Sequence, residues 1–133
     1  MISRFLFLFI SLISINLLVH SQTSIHCDYV FYNSAEGVSY EMAETTVFTF
    51  TEARIVKNSD NPVKGKEKIT YEINKFLHNK KTELYIYNIK DTEDEKNYML
   101  VIDAKQKLIR FFYNTADKLT LTIYIIKEVT NKR

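Results

Sequence analysis

The chain has 133 residues, of which 46% are apolar, and 18 basic against 16 acidic side chains give a formal net charge of +2. A charge so close to neutral argues against a dedicated nucleic-acid-binding protein, which carries a basic patch or stripe. The chain holds two glycines, too few for a glycine-rich phosphate loop, and one cysteine. Because one cysteine cannot form a disulfide within its own chain, the fold depends on its apolar core.

Residues 1–21 predict a cleaved secretory signal peptide. One positive charge at Arg4 is followed by an apolar run over 5–19, and Ser21 stands at the expected cleavage site. This layout is typical of a signal peptide, and the run is shorter than the about 20 apolar residues that a membrane-spanning helix needs. We therefore expect cleavage before Gln22 and a secreted or periplasmic protein with no stable membrane span. Its single β domain is expected over 22–133.

The single cysteine, Cys27, leaves an alternative localisation open, because a lipid anchor attached there would also hold the protein outside the cytoplasm. A bacterial lipidation signal has a small residue directly before its cysteine, whereas His26 stands at that position. A free cysteine usually behaves as a small buried hydrophobe. A buried place near the start of the first strand is therefore the favoured interpretation.

The composition and the C-terminal half of the chain indicate antiparallel β structure. Nine Tyr and many Ile, Val and Thr residues suit a pleated, half-buried surface. Four apolar runs, at 84–89, 98–102, 108–113 and 119–126, are joined by short polar connections, which suit hairpins rather than parallel crossovers. The prediction is an all-β, antiparallel up-and-down meander of seven or eight strands that forms a small barrel or a strongly curved sheet.

The last run predicts which side chains face the core. Leu121 and Ile123 share one face of a strand, and Thr120 and Thr122 share the other. Alternation with a period of two is typical of a half-buried strand. We therefore expect the two apolar side chains to lie in the core and the two threonines to be more exposed.

The N-terminal half predicts further strands with less regular patterns. Strands are expected at 26–32, 38–42 and 46–56. Gly37 marks a turn, since glycine adopts positive φ at little cost. The segment 58–65, rich in Asn and containing the proline, is the strongest loop signal in the chain.

Residues 66–79 match two patterns. In a strand, Ile69, Tyr71 and Ile73 would point inward and alternate with polar residues. In a helix, an apolar stripe would give an α+β fold, with the helix packed on an antiparallel sheet. The Ile-Thr-Tyr centre and the lack of a good N-cap residue favour the strand.

The first two of the C-terminal runs are apolar on both faces. Either these strands are covered on both sides, or their outer faces form a contiguous apolar patch, which is unusual for a monomer. On the second interpretation the candidate interaction patch is formed by Tyr85, Tyr87, Met99 and Val101.

The sequence predicts no catalytic, cofactor-binding or metal-ligating residues. It contains no H-E-x-x-H or paired-cysteine zinc pattern and no G-x-S-x-G nucleophile elbow. The acidic run over 91–95 lacks the central glycine of a calcium-binding EF-hand loop. We interpret that run as the solvated tip of a hairpin.

The rhythm of short hairpins joined by charged tips is similar to that of many small exported β proteins, the lipocalins among them. This likeness is one of architecture and carries no motif, so it implies no ligand. The expected function is that of an exported, non-catalytic binding or protein-interaction module, whose partner is an unknown protein or an apolar small molecule. The alternative is a small exported hydrolase-like enzyme whose catalytic residues come from separate strands.

Overall fold

The computed structural model of the chain describes residues 22–33, 37, 39–115 and 118–132. The signal peptide predicted for residues 1–21 lies outside these residues. Over most of the described length apolar and aromatic residues recur at every second position. This period of two places them on one face of an extended chain, which favours strands rather than helices.

Eight antiparallel strands form a closed barrel in the described residues. Each strand pairs with the next along the chain, and the last pairs with the first. The path is therefore the predicted all-β, up-and-down meander, and its closure removes the free edges of the sheet. The strands are β1 (Gln22–Asn33), β2 (Ser39–Phe50), β3 (Arg54–Asn61), β4 (Gly65–Asn79), β5 (Leu84–Asp91), β6 (Asn97–Asp103), β7 (Leu108–Thr115) and β8 (Lys118–Lys132).

The segment that matched two patterns is strand β4. Tyr71 is buried, Ile69 and Ile73 pack against the core, and Glu72 between them is exposed. The strand pairs with β3 on one side and β5 on the other. It is therefore part of the closed wall, and the alternative helix over 66–79 is not formed.

The boundaries of β2 and β3 differ from the prediction. Residues 46–56, predicted as one strand, belong to both strands, which are joined by a tight turn. The backbone N–H of Thr51 donates to the carbonyl oxygen of Arg54 at 2.9 Å, closing this turn without the glycine or proline that marks many turns. The predicted loop over 58–65 is shorter, because β3 continues to Asn61 by pairing with both of its neighbours.

Two glycines occupy the left-handed region of backbone conformation. Gly37, between β1 and β2, has a φ of 84°, as the turn prediction expected, and Gly65, at the start of β4, has a φ of 87°. A side chain with a Cβ atom is strained in this region. Both turns therefore favour glycine.

Side chains from all eight strands fill the inside of the barrel. Aromatic rings meet across it: the ring centroids of Phe48 and Tyr124 are 5.0 Å apart, and those of Tyr71 and Phe111 are 5.6 Å apart. Small barrels are usually packed in this way, with no channel through the body. The core comprises Ile25, Cys27, Val30, Phe48, Phe50, Ile55, Tyr71, Tyr85, Tyr87, Ile89, Leu100, Ile102, Ile109, Phe111 and Tyr124.

The predicted facing of β8 is wrong. Tyr124 is a buried core residue, and residues at two-residue spacing share a face of a strand. Thr122 and Thr120 therefore lie on the inner face, whereas Leu121 and Ile123 lie on the outer face.

The reason for this reversal is the size of the side chains. The long tyrosine ring reaches across the barrel to an aromatic partner, which a leucine or isoleucine side chain on this strand would not do. The threonine side chains are short, so the inner face of β8 leaves open space near one end of the barrel. Apolar character alone does not identify the inner face of β8, because the face with Leu121 and Ile123 is the outer one.

Candidate functional site

A pocket of about 290 Å³ opens at one mouth of the barrel. Alternate strands of an antiparallel meander end on the same side, so β1, β3, β5 and β7 all end at this mouth. The pocket wall combines tyrosine rings with charged and amide side chains. The tyrosine and amide residues are Tyr32, Tyr40, Tyr124 and Asn61, and the charged residues are Glu44, Lys57, Lys64, Lys66 and Glu67.

The inner face of β3 changes from apolar to polar towards this mouth. Ile55 is fully buried in the core, and Lys57, Ser59 and Asn61 follow it at two-residue spacing. Because alternate residues of a strand share a face, these polar side chains point inward. All three line the pocket, and the core closes its floor.

Lys57 lines the pocket from the inner face of β3. It lies between Phe48 and Ile69 on the neighbouring strands, and both of these side chains contribute to the apolar interior. Its Nζ lies 5.2 Å from the centroid of the Phe111 ring, which is a cation–π distance. Among the described residues, no carboxylate lies within 4.0 Å of this ammonium. An aromatic ring rather than a counter-ion therefore contacts the charge.

Burial lowers the pKa of the Lys57 ammonium, because desolvation disfavours its charged form. The carboxylates of Glu67, Glu44 and Asp91 act in the opposite direction from a longer distance, and desolvation is the larger effect. A negatively charged group in the pocket would supply the close counter-ion that the wall lacks.

Glu44 on β2 is held in place by two hydrogen bonds. Asn61 Nδ2 donates to its Oε1 at 2.7 Å, and Thr46 Oγ1 donates to its Oε2 at 2.8 Å. Asn61 Oδ1 in turn accepts from the backbone N–H groups of Val63 and Lys64 at 2.8 and 3.0 Å, which ties the carboxylate to the β3–β4 turn. The pocket therefore contains a fixed carboxylate acceptor as well as a cation.

The four residues of the predicted interaction patch lie on two sides of the barrel wall. Tyr85 and Tyr87 are 0% and 3% exposed and belong to the core. Met99 and Val101 flank the core residue Leu100 and lie on the outer side of the strand, where Met99 is 37% exposed but Val101 is buried at 7%. The two tyrosines, whose rings fill the barrel, therefore lie on the opposite side of the sheet from Met99 and Val101. An interaction surface at Met99 and Val101 stays a prediction, and the two tyrosines do not reach that surface.

Cys27 is buried on the inner face of β1. Burial, with a smaller contribution from Asp28, raises the pKa of its thiol to about 12. The thiol is therefore protonated at neutral pH and is unsuited to act as a nucleophile. Over the ranges that the structure describes, no group of three or more His, Cys, Asp or Glu side chains is placed to hold a metal ion.

Comparisons with protein-family models, with curated proteins and with solved structures gave no match. Function is therefore inferred from the pocket and surfaces of this chain alone. The described part of the chain contains no helix that is long and apolar enough to cross a membrane.

Sequence reasoning did not single out Lys57 or Glu44. The available signal is that Lys57 follows Ile55 at two-residue spacing, which places its side chain on the same face as a core residue. That signal was lost because the strand was predicted to end at residue 56, where the facing of the next residue is undefined. The role of Glu44 depends on Asn61, which the sequence assigned to a loop.

Proposed function

We propose that this chain is an exported, non-catalytic binding protein that takes a small, negatively charged molecule into the mouth pocket. One observation carries the proposal: Lys57 lines the pocket, and no described carboxylate lies within 4.0 Å of its desolvated ammonium. Burying a charge without a partner is costly. An acidic group on the ligand would pair with this ammonium and recover part of that cost.

The pocket walls support a ligand with a flat or apolar body and a hydrogen-bond donor. Tyr32 and Tyr40 stack at the mouth with ring centroids 4.9 Å apart, and Tyr124 lines the inner part. Aromatic rings offer apolar contact to a flat body, and the Glu44 carboxylate can accept from a hydroxyl or amino group. The volume is at the lower limit of ligand pockets, which are typically about 300–1,000 Å³. The ligand class is a small hydroxy- or amino-carboxylate.

Export is supported by the pattern of residues 1–21 and by the position of β1. Cleavage before Gln22 would keep all the described residues of β1, Gln22–Asn33. Lipid attachment at Cys27, as a new N-terminal residue, would instead remove Thr23 and Ile25, both buried in the wall. These points favour a secreted or periplasmic protein over a lipid-anchored one.

The test is a titration of the exported protein with benzoate and with its neutral analogue benzyl alcohol, followed by NMR chemical shifts. We expect benzoate to bind at least about tenfold more tightly, which corresponds to about 1.4 kcal/mol, and to shift the signals of Lys57 and Tyr124. Lys57→Met should abolish this preference. The matched control is Lys75→Met, which removes an exposed lysine from the outside of β4, and it should leave the preference unchanged.

Equal binding of the two probes, or a preference that survives Lys57→Met, would contradict recognition of an acidic group by Lys57. The hydrolase-like alternative needs a group that activates a nucleophile or a water molecule. The Cys27 thiol is not such a nucleophile, because its pKa is raised well above neutrality.

A further inference from the structure

The outside of the barrel is apolar over four adjacent strands, β6, β7, β8 and β1. Side chains directly opposite one another on antiparallel neighbours share a face of the sheet, and the cross-strand pairing aligns apolar residues in rows across these strands. We call this surface the outer apolar face. It comprises Phe31, Met99, Phe112, Leu121, Ile123 and Ile125.

The outer apolar face meets solvent in the described part of the chain. Phe31 and Met99 are 38% and 37% exposed, and the other four side chains are half-buried. Residues 22–33 and 39–132, apart from the two undescribed positions in the β7–β8 turn, form the barrel wall and its turns. No second layer from these residues lies over the face.

The charged side chains within these rows form one ion pair. Arg110 lies in one of the rows, opposite Val101 and Ile123. Its Nη1 donates to Asp103 Oδ2 at 2.9 Å. The rows themselves therefore carry no unpaired charge, and the Glu41 carboxylate lies beside them at the β2 edge, opposite Phe31.

We infer that two copies of this chain associate through their outer apolar faces as a symmetric dimer. Such an interface places the same patch on both copies, and twofold dimers are the commonest assemblies of identical chains. A sheet face that is apolar and locally neutral is complementary to itself, and two sheets pack face to face at about 10 Å. The interfaces of such dimers are also more apolar than the rest of a protein surface.

The opposite wall of the barrel does not offer a matching surface. The outer positions of β3 and β4 carry polar and charged pairs, among them Asn58 opposite Lys68 and Asp60 opposite Lys66. Packing the outer apolar face on that wall would desolvate these charges without pairing them, which is unfavourable. Charge complementarity therefore selects a second outer apolar face rather than a head-to-tail contact.

The extent of the face indicates a modest affinity. From the spacing of strands and residues, four strands and three residue rows cover an area on the order of 300 Å². Standard interfaces bury about 800 Å² of accessible surface per partner. We therefore expect a dimer that dissociates at micromolar concentration rather than an obligate one.

The test measures molar mass by analytical ultracentrifugation of the exported protein from about 1 μM to about 1 mM, the range over which such a dimer dissociates. We expect the mass to rise towards twice that of the chain. Met99→Lys and, independently, Phe31→Lys should each hold it at the monomer value. The matched control is Val63→Lys, which puts the same charge at an exposed apolar position in the β3–β4 turn and should leave the dimer unchanged. Circular dichroism verifies that each variant is folded.

A second measurement needs no variant. On dilution of the unmodified protein, backbone amide signals of β6–β8 and β1 should shift, whereas those of β3 and β4 should not.

A monomer over the whole concentration range, or a dimer that survives both lysine substitutions, would overturn the inference. So would a dimer that forms only when residues 1–21 are retained, since that apolar segment would then be the occupant of the face. Benzoate binding is measured separately, so failure of the dimer leaves the proposed function standing.

Discussion

Strands β2–β4 and β6–β8 form opposite halves of the barrel wall, and they differ in their outer faces. On the first half, outer positions carry polar side chains such as Asn58, Lys68 and Glu72. On the second half, the corresponding positions carry apolar ones such as Phe112 and Leu121. The inner faces of both halves supply the same core. Alternation therefore identifies the inner face of the first half, whereas in the second half side-chain size and the volume of the barrel decide it.

The same difference separates the two proposed binding functions. The mouth pocket depends on Glu44 and Lys57 from β2 and β3, where the inner face becomes polar towards the mouth. The outer apolar face belongs to β6–β8 and β1. The pocket is also lined by Tyr32 on β1 and Tyr124 on β8, whose outer faces belong to the apolar face. Each function can nevertheless be removed by a substitution that leaves the residues of the other unchanged.

The largest effect is expected from alkaline pH, which tests the shared inner face of both halves. Burial raises the pKa of Tyr98 to about 12 and also raises the pKa values of Tyr71, Tyr87 and Tyr124. An unfolded chain releases these protons near pH 10. The stabilisation is therefore complete below about pH 10 and is lost as the pH rises towards about 12. We expect the tyrosinate absorbance of these four residues to appear together with the loss of the β-sheet circular dichroism signal in this range. Ionisation of all nine tyrosines of the chain near pH 10 in a folded barrel would contradict the prediction.

The next largest effect compares the two faces of β8. Tyr124→Ala removes a buried ring and should lower the free energy of unfolding by about 3–5 kcal/mol, the usual cost for a large aromatic core residue. Leu121→Ala on the outer face of a monomer should cost about 1 kcal/mol, since the side chain is only half-buried. Urea unfolding at low protein concentration measures both. A larger loss for Leu121→Ala would restore the facing that sequence alternation predicted.

The sequence predicts the barrel better than it predicts the site. Short polar connections between apolar runs specify an antiparallel meander, and the alternation around Tyr71 identifies β4 as a strand. The facing of β8 could not be predicted from alternation. Thr122 rather than Leu121 lies on the inner face because it shares that face with Tyr124, whose ring fills the barrel. Lys57 was missed because polar residues at a barrel mouth resemble a loop. Their strand conformation comes from cross-strand pairing, which is absent from the local sequence.

The third prediction compares an ion pair beside the outer apolar face with one at a hairpin tip. Asp103→Asn keeps an acceptor for the Gln106 N–H but leaves Arg110 without its carboxylate among apolar side chains. We expect a loss of about 1–2 kcal/mol in the free energy of unfolding, because Asp103 is buried. Glu95→Gln breaks an exposed 3.6 Å pair and should cost less than about 0.5 kcal/mol. An equal loss of unfolding free energy for Asp103→Asn and Glu95→Gln would mean that the two ion pairs are equally exposed to water.

The smallest effect is expected from Lys57→Met, which tests whether the polar inner face of the first half serves binding or stability. At neutral pH the desolvated ammonium is unfavourable in the folded chain, since its pKa there is below the ordinary value of 10.5. The contact with the Phe111 ring offsets part of this cost. We therefore expect the variant to be as stable as the unmodified protein or more stable, by at most about 1 kcal/mol, although it loses the preference for benzoate.

The sign of the pH dependence sharpens this last prediction. A depressed lysine pKa means that the unfolded chain binds the proton more tightly, so the cost of the charge is present at pH 7 and disappears as the pH rises through the lowered pKa towards 10.5. Any stability advantage of Lys57→Met should consequently be larger at pH 7 than at pH 10, and taking the difference between the two proteins cancels the contribution of the tyrosines. Urea unfolding at the two pH values measures it. If Lys57→Met instead destabilises the barrel by several kcal/mol at pH 7, the ammonium is part of the structural core, and the pocket is not built around an unpaired charge.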